Sequence, residues 1–163
     1  MYTYFFSGGD LMLRKERECS DPIFFNTLLQ KAEVMTLAFH AEEYPYVLPV
    51  NFVFLDGNLY FHCAQEGYKL QCMQKNPRIG FSVYEVLEID REHATTRYNS
   101  ICGQGLAEPV LNRKEKQAAL SALAKKYRSN CKLPVQGDML EKTAVIRISI
   151  TVLSGKRNPP VSA

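Results

Sequence analysis

The sequence predicts a mainly β, antiparallel fold, a small barrel with helices packed against its outside, on three observations. Runs rich in β-branched and aromatic residues fill the middle of the chain, among them Val34 to His40, Tyr46 to Leu55 and Leu59 to Cys63. Most are joined by short turns with no strict strand-helix alternation, which disfavours a doubly wound parallel sheet. The longest run, Thr96 to Glu108, carries Gly103 and Gly105, and glycines inside a strand mark the bulges and bends that turn a barrel corner.

In chain order, Ser20-Asp21-Pro22 offers a capping side chain and then a proline at the first helical turn, and Ile23, Phe24, Leu28 and Leu29 follow at helical spacing, so a helix is expected to about Lys31. From Val34 the period becomes that of strands, and three adjacent strands are expected to form a meander, the last two joined by a tight turn at Asp56-Gly57-Asn58. Gly67 to Gln74 reads as a short helix, Ile79 to Leu87 as a fourth strand and Thr96 to Glu108 as a fifth. Asn112 can cap a helix over Arg113 to Arg128, rich in Ala, Leu, Lys and Gln, with Ala119, Leu120 and Leu123 facing a core. Thr143 to Leu153 is expected to close the sheet as a sixth strand. Residues 1–13 read as an aromatic N-terminal extension and 157–163 as a mobile tail, so 1–163 is expected to be a single domain.

With 163 residues, 46% of them hydrophobic, the chain can build a sizeable core, and disorder is excluded. The net charge is only +3, and signs alternate as in Arg14-Lys15-Glu16-Arg17-Glu18, so no basic stripe marks a nucleic-acid partner. Five cysteines with no C-x-x-C pair fit neither a disulfide framework nor a zinc site and point to a reducing cytoplasm. The start has no basic, then apolar, secretory pattern. No membrane span is expected, since the most apolar stretch, Tyr44 to Leu55, is interrupted by Pro45, Pro49 and Asn51.

Two segments can carry chemistry. In Tyr60-Phe61-His62-Cys63-Ala64-Gln65-Glu66-Gly67-Tyr68-Lys69 a strand ends and a helix begins. Unpaired amides at a helix start, the positive end of its dipole, a glycine that admits close approach and a lysine charge together suit a phosphate. The same residues also fit an ordinary turn followed by a solvated lysine. His62 fits a structural strand histidine or a ligand-facing group titrating near neutrality. Metal binding is not expected, because His40, His62 and Cys63 have the wrong spacing for zinc and His93 sits among solvated charges. Cys63 lacks an activating partner in sequence and reads as inert packing. The second segment is Tyr46 to Phe54, where Pro49 inside a β pattern requires an edge strand or an opened part of the sheet. Free backbone groups around Pro49 to Phe52, with the Asn51 amide, could meet the polar edge of a flat heterocycle, or the segment is a plain edge strand.

Taken together, Arg14 to Glu18, Pro45 to Phe52, Tyr60 to Lys69, Lys75-Asn76-Pro77-Arg78, Tyr98-Asn99-Ser100-Ile101 and Ile150 to Lys156 are similar in order and spacing to the FMN-binding split-barrel family related to pyridoxamine 5′-phosphate oxidase, in particular its 5-nitroimidazole resistance (Nim-like) branch. The resemblance implies a six-stranded antiparallel split β-barrel with flanking α-helices, paired into a homodimer with one FMN in each of two clefts at the subunit interface. It implies that Pro49, Val50, Asn51 and Phe52 line the flavin ring. His62, Cys63, Ala64, Gly67 and Lys69 would surround the phosphate and ribityl chain, with Asn99 and Ser100 as further contacts. The activity implied is FMN-dependent reduction of a small organic, nitroaromatic-like acceptor, with NAD(P)H or a partner reductase as electron donor and His62 as the one protonic candidate. The alternative is a flavin- or haem-binding carrier or sensor without turnover.

Overall fold

The computed structural model describes residues 14–128 and 137–158. The extension at 1–13, Cys131 and residues 159–163 of the expected tail lie outside them. After a short 3-10 turn the elements are β1 (Glu18–Cys19), α1 (Pro22–Lys31), β2 (Val34–Phe39), β3 (Tyr46–Asn51), β4 (Val53–Leu55), β5 (Asn58–Cys63), α2 (Tyr68–Lys75), β6 (Arg78–Asp90), β7 (Thr95–Pro109), α3 (Arg113–Tyr127), α4 (Asp138–Lys142) and β8 (Ala144–Asn158).

Local chemistry sets the ends of these elements as expected. The Asp21 carboxylate accepts the Ile23 amide at 2.8 Å, with Pro22 opening α1. The Asn112 side chain accepts the Lys114 and Glu115 amides at 2.9 and 3.1 Å, satisfying two of the donors that α3 leaves unpaired. At the β4-β5 hairpin Asp56 and Gly57 both have positive φ, 49° and 79°, as a two-residue primed turn requires.

One eight-stranded antiparallel sheet runs in the order β3-β2-β6-β7-β8-β5-β4, with β1 added on β8. The expected count of six strands is therefore corrected to eight among the described residues, and the meander is corrected too. The run Tyr46 to Leu55 breaks at Phe52. Its first half pairs with β2 at one edge of the sheet and its second half with β5 at the other. A sheet whose chain steps from one edge directly to the opposite edge must be curled until those edges meet, which is a split barrel. Pro49 does lie in an edge strand, where a residue without an amide proton is tolerated.

Two apolar clusters hold the sheet. The larger fills the barrel with Leu37, Phe39, Phe52, Leu59, Phe61, Ile146 and Ile148, closed by Phe25 and Leu29 of α1. The smaller packs Leu120, Leu123 and Ala124 of α3 against Val53, Tyr60 and Val145. Strand β5 is thus covered on both faces: Leu59 and Phe61 point into the barrel while Tyr60 points to α3. The register between β7 and β8 shifts at Gln104/Gly105, where the sequence suggests a bend. A Cβ on Gly105 would lie 2.6 Å from the Ser149 carbonyl oxygen, so only glycine lets β8 approach this closely.

Beyond Val83, β6 leaves the core with Tyr84, Val86, Leu87 and Ile89 exposed. Its tip is fastened by Asp90, which accepts the His93 amide at 3.0 Å and the Arg97 guanidinium at 3.1 Å. β8 continues through Arg157 and Asn158, paired with Asn99 and Tyr98, so these two residues of the expected tail are strand. The four described cysteines, Cys19, Cys63, Cys72 and Cys102, are unpaired thiols. No helix among the described residues is long and apolar enough to cross a membrane.

Candidate functional site

The two edges of the curled sheet form the lips of a split. β4 pairs only with Asn58 to Tyr60, so Phe61, His62 and Cys63 run on past it, and β3 approaches β5 across the gap. Both chemistry-bearing segments of the sequence therefore meet at one place, Pro49 to Phe52 on one lip and His62 to Ala64 on the other.

Alternation along β3 decides which side chains are available. Tyr46, Leu48 and Val50 pack against the barrel core, whereas Val47, Pro49 and Asn51 are exposed. Phe52 is wholly buried. Of the four residues expected on the flavin ring, Pro49 and Asn51 thus present side chains outward, and Val50 and Phe52 do not.

The backbone at Phe52 is not free, which corrects the expectation of open backbone groups there. The Tyr127 hydroxyl takes the Phe52 amide proton at 3.0 Å and lies 2.7 Å from the Phe52 carbonyl and 2.6 Å from that of Glu33, between which its single proton is shared. The Lys126 ammonium donates to the carbonyls of Phe52 at 3.1 Å and Ala32 at 2.5 Å and stands 4.5 Å above the Phe52 ring. A crossover between sheet edges leaves backbone groups without a ladder partner, and the C-terminal turn of α3 supplies partners for them. Burial holds the Lys126 ammonium below its ordinary pKa, with Glu33 opposing, and raises that of the Tyr127 phenol.

At the other lip α2 begins without any side-chain cap. Gly67, at its N-cap, has φ 135°, a backbone conformation that side-chain-bearing residues rarely adopt, and open space stands where its Cβ would be. The Gly67 carbonyl accepts the Leu70 and Gln71 amides at 3.0 and 3.3 Å, so the amides of Tyr68 and Lys69 are the ones at the helix start without an intrahelical acceptor. Lys69 is close enough to Cys63 to act on its thiol. Burial pushes that thiol's pKa up and the lysine offsets part of the rise, so Cys63 is held as an unreactive thiol. This donor set, an uncapped helix start with an open glycine and a lysine, fits a phosphate monoester.

Burial against α3, and then the positive charge of Arg128, hold His62 below the ordinary imidazole pKa. At neutral pH it is an uncharged hydrogen-bonding group, poorly suited to deliver a proton. The unfolded chain binds the His62 proton more readily than the folded one. The stability linked to this group is therefore complete above the unfolded pKa, about 6.5, and is lost as pH falls through that value. Stability should accordingly drop between pH 7 and 5 in thermal melts, and His62→Gln should flatten the drop; an unchanged slope in the variant would locate the effect elsewhere.

Asn99 and Ser100 are not at this place within one chain. His62 pairs with Val145 and Asn99 with Arg157, twelve positions further along β8, or roughly 30–40 Å of strand. The Asn99 amide reaches the Glu85 carboxylate at 3.4 Å, on the ribbon that leaves the core.

Between the lips and α3 lies a cavity of about 150 Å³. Leu120, Leu123 and Ala124 form an apolar wall, and Asn51, His62, Tyr127 and Arg128 a polar one. Asn51 and Tyr127 both line this cavity. Sequence reading missed Lys126, Tyr127 and Arg128, because cations in the last turn of a helix read as solvated partners of its dipole. A larger cavity, about 300 Å³, lies beside α2 and the ends of β7 and β8, lined by Leu70, Met73, Val110 and Ile146, and touches neither lip residue Asn51 nor His62.

A curled antiparallel sheet, split along one seam and flanked by helices, places the chain among split-barrel proteins. The family model for pyridoxamine 5′-phosphate oxidase matches residues 25–157, and the chain belongs to that family. A comparison with curated protein sequences gives no match. Among solved structures the chain is similar to a protein of Bacteroides thetaiotaomicron described as a candidate 5-nitroimidazole antibiotic resistance protein, at 22% identity and TM-score 0.75 over 85% of each chain. It is also similar to a FAD-binding protein of Mesorhizobium loti, at 22% identity and TM-score 0.69 over 88% of this chain and 98% of that one. A FAD and heme binding protein of Mycobacterium smegmatis aligns at 18% identity and TM-score 0.75, over 90% of this chain and 77% of its own. At these identities the likeness is one of fold.

Proposed function

We propose that this chain is a flavoprotein that holds FMN at the split and uses it to reduce a small organic acceptor, with NAD(P)H or a partner reductase as electron donor. One observation carries the reading. Asn51 on one lip and His62 on the other line one cavity, and the strand end His62 to Ala64 runs on into the uncapped helix start with Gly67 and Lys69. Membership of the pyridoxamine 5′-phosphate oxidase family supports it.

Lys69 and the amides beside Gly67 would hold the phosphate. Pro49 and Asn51 would face the ring, with Val50 contributing through its backbone, and His62, Cys63 and Ala64 would flank the connecting chain. The flavin, when bound, supplies the electron transfer. The protein's part is to orient the acceptor, to exclude water with the apolar α3 wall and to offer neutral His62 as a hydrogen-bond partner.

A homodimer belongs to this reading. Asn99 and Ser100 can reach the seam only from a second copy, and the exposed ribbon around Tyr84, Val86 and Ile89 carries the apolar surface such pairing needs. The unpaired thiols suit a reducing cytoplasm. The fold likeness to a FAD and heme binding protein favours a second reading, a carrier or sensor that binds flavin or haem without turnover. Steady NAD(P)H oxidation by the FMN-loaded protein in the presence of a nitroaromatic acceptor is the result expected for the enzyme. A bound flavin that is neither reduced nor reoxidised would select the carrier.

A further inference from the structure

We propose that the larger cavity, between α2 and the ends of β7 and β8, binds a medium-chain aliphatic carboxylate, its chain lying between the two apolar clusters and its carboxylate paired with Lys116. The inference goes beyond the flavin reading and does not rest on it, since neither Asn51 nor His62 lines this cavity.

Local chemistry opens the space. β7 ends at Pro109 and β8 starts at Ala144, and the Val110 amide ties the two ends by donating to the Val145 carbonyl at 2.8 Å. Ala107, Pro109 and Ala144 put only short side chains there, and Leu70 and Met73 of α2 complete the wall. The two apolar clusters meet at this place: Met73, Ala107 and Ile146 belong to the barrel cluster, Val110 and Val145 to the one under α3. An aliphatic chain laid here would continue both, and each methylene would leave water and gain dispersion contacts.

The lining sets the ligand's class. Among the described residues no aromatic side chain lines the cavity, so a flat ring has no stacking platform, whereas aliphatic walls with one adaptable thioether suit a flexible chain. The cavity measures about 300 Å³. An engineered cavity of about 150 Å³ in another protein holds one six-carbon ring, so this one takes a chain of about eight to ten carbons. Lys116 sets the headgroup. It is the one charged side chain of the lining among the described residues, and Gln65, Gln74 and Thr143 are neutral. It lies in the opening turn of α3, where the helix dipole already presents positive charge, so its own helix does not stabilise the ammonium. The nearby carboxylates are committed elsewhere, Glu115 to Tyr60 and Arg147 and Glu141 to Arg113, and Lys116 makes no ion pair among the described residues. Leu111 lines the cavity and is 91% exposed, which puts it at the mouth.

Calorimetric titration of the full chain with octanoate tests this. Saturable binding is expected, tightening about fourfold per added methylene from butanoate to decanoate, the gain for burying one such group, and levelling off at dodecanoate once the cavity is full. Lys116→Gln should weaken octanoate about 5- to 13-fold, between the loss of an exposed ion pair and that of a charge-assisted hydrogen bond, and leave octan-1-ol unchanged. Leu111→Asp should weaken octanoate too, by placing a negative charge at the mouth. Neither side chain belongs to the two core clusters, so both variants should fold. No saturable binding, equal affinity for butanoate and octanoate, or octanoate binding that both variants leave intact overturns the site. Octanoate that FMN displaces would lie at the split and overturns it as well. A protein that binds octanoate in this Lys116-dependent way but takes up no FMN leaves the site standing and overturns only the flavin reading.

Discussion

Lys69→Ala lowers the affinity for FMN by about 10- to 150-fold, the loss expected when a hydrogen bond to a charged group is removed. The lysine follows Gly67 in the first turn of a helix whose start has no side-chain cap, so the phosphate would be its charge partner. Lys69→Arg keeps the charge and should retain most of the affinity. Flavin fluorescence quenching reads the result directly. Unchanged affinity in the alanine variant would remove Lys69 from the site and move the phosphate elsewhere along the seam.

Phe52→Ala lowers stability by about 3–5 kcal/mol, the usual loss for truncating a buried phenylalanine. For a chain of this length that corresponds to a fall of roughly 6–20 °C in the melting midpoint. The size follows from position as well as burial. Phe52 is the residue at which the chain steps from one sheet edge to the other, its ring fills the barrel, and Lys126 stacks on it from outside. The backbone bonds to Tyr127 do not need the ring, so the crossover should stay in place and the variant should remain folded at low temperature. A loss below about 1 kcal/mol, less than the smallest values for such a change, would show that the crossover is not part of the core.

Elements whose signals are local could be read directly from the residues. Asp21-Pro22, Asn112 and Asp56-Gly57 each act through their own backbone, so their caps and turn follow from residue type alone. The bend near Gly105 and the edge position of Pro49 follow in the same way, from what those residues permit. The break at Phe52 was hidden because Val50 to Leu55 is uniformly β-like, and only tertiary pairing shows that its halves belong to opposite edges. At the site, His62 and Lys69 stood out because they flank a strand-helix junction. Arg128 and Tyr127 did not, since they reach the split from the far end of a helix that begins only at Arg113. The distance of Asn99 and Ser100 from the seam was equally invisible, because it depends on the length of β8 between its two partners.

The absorbance spectrum of the purified protein between 300 and 600 nm, followed by release and identification of the chromophore on denaturation, tests the central claim most directly. The flavin reading predicts a yellow protein that releases FMN at one per subunit, or a colourless one that takes up added FMN to that ratio. A colourless protein that binds no added FMN would contradict it and leave a split barrel whose seam serves another ligand.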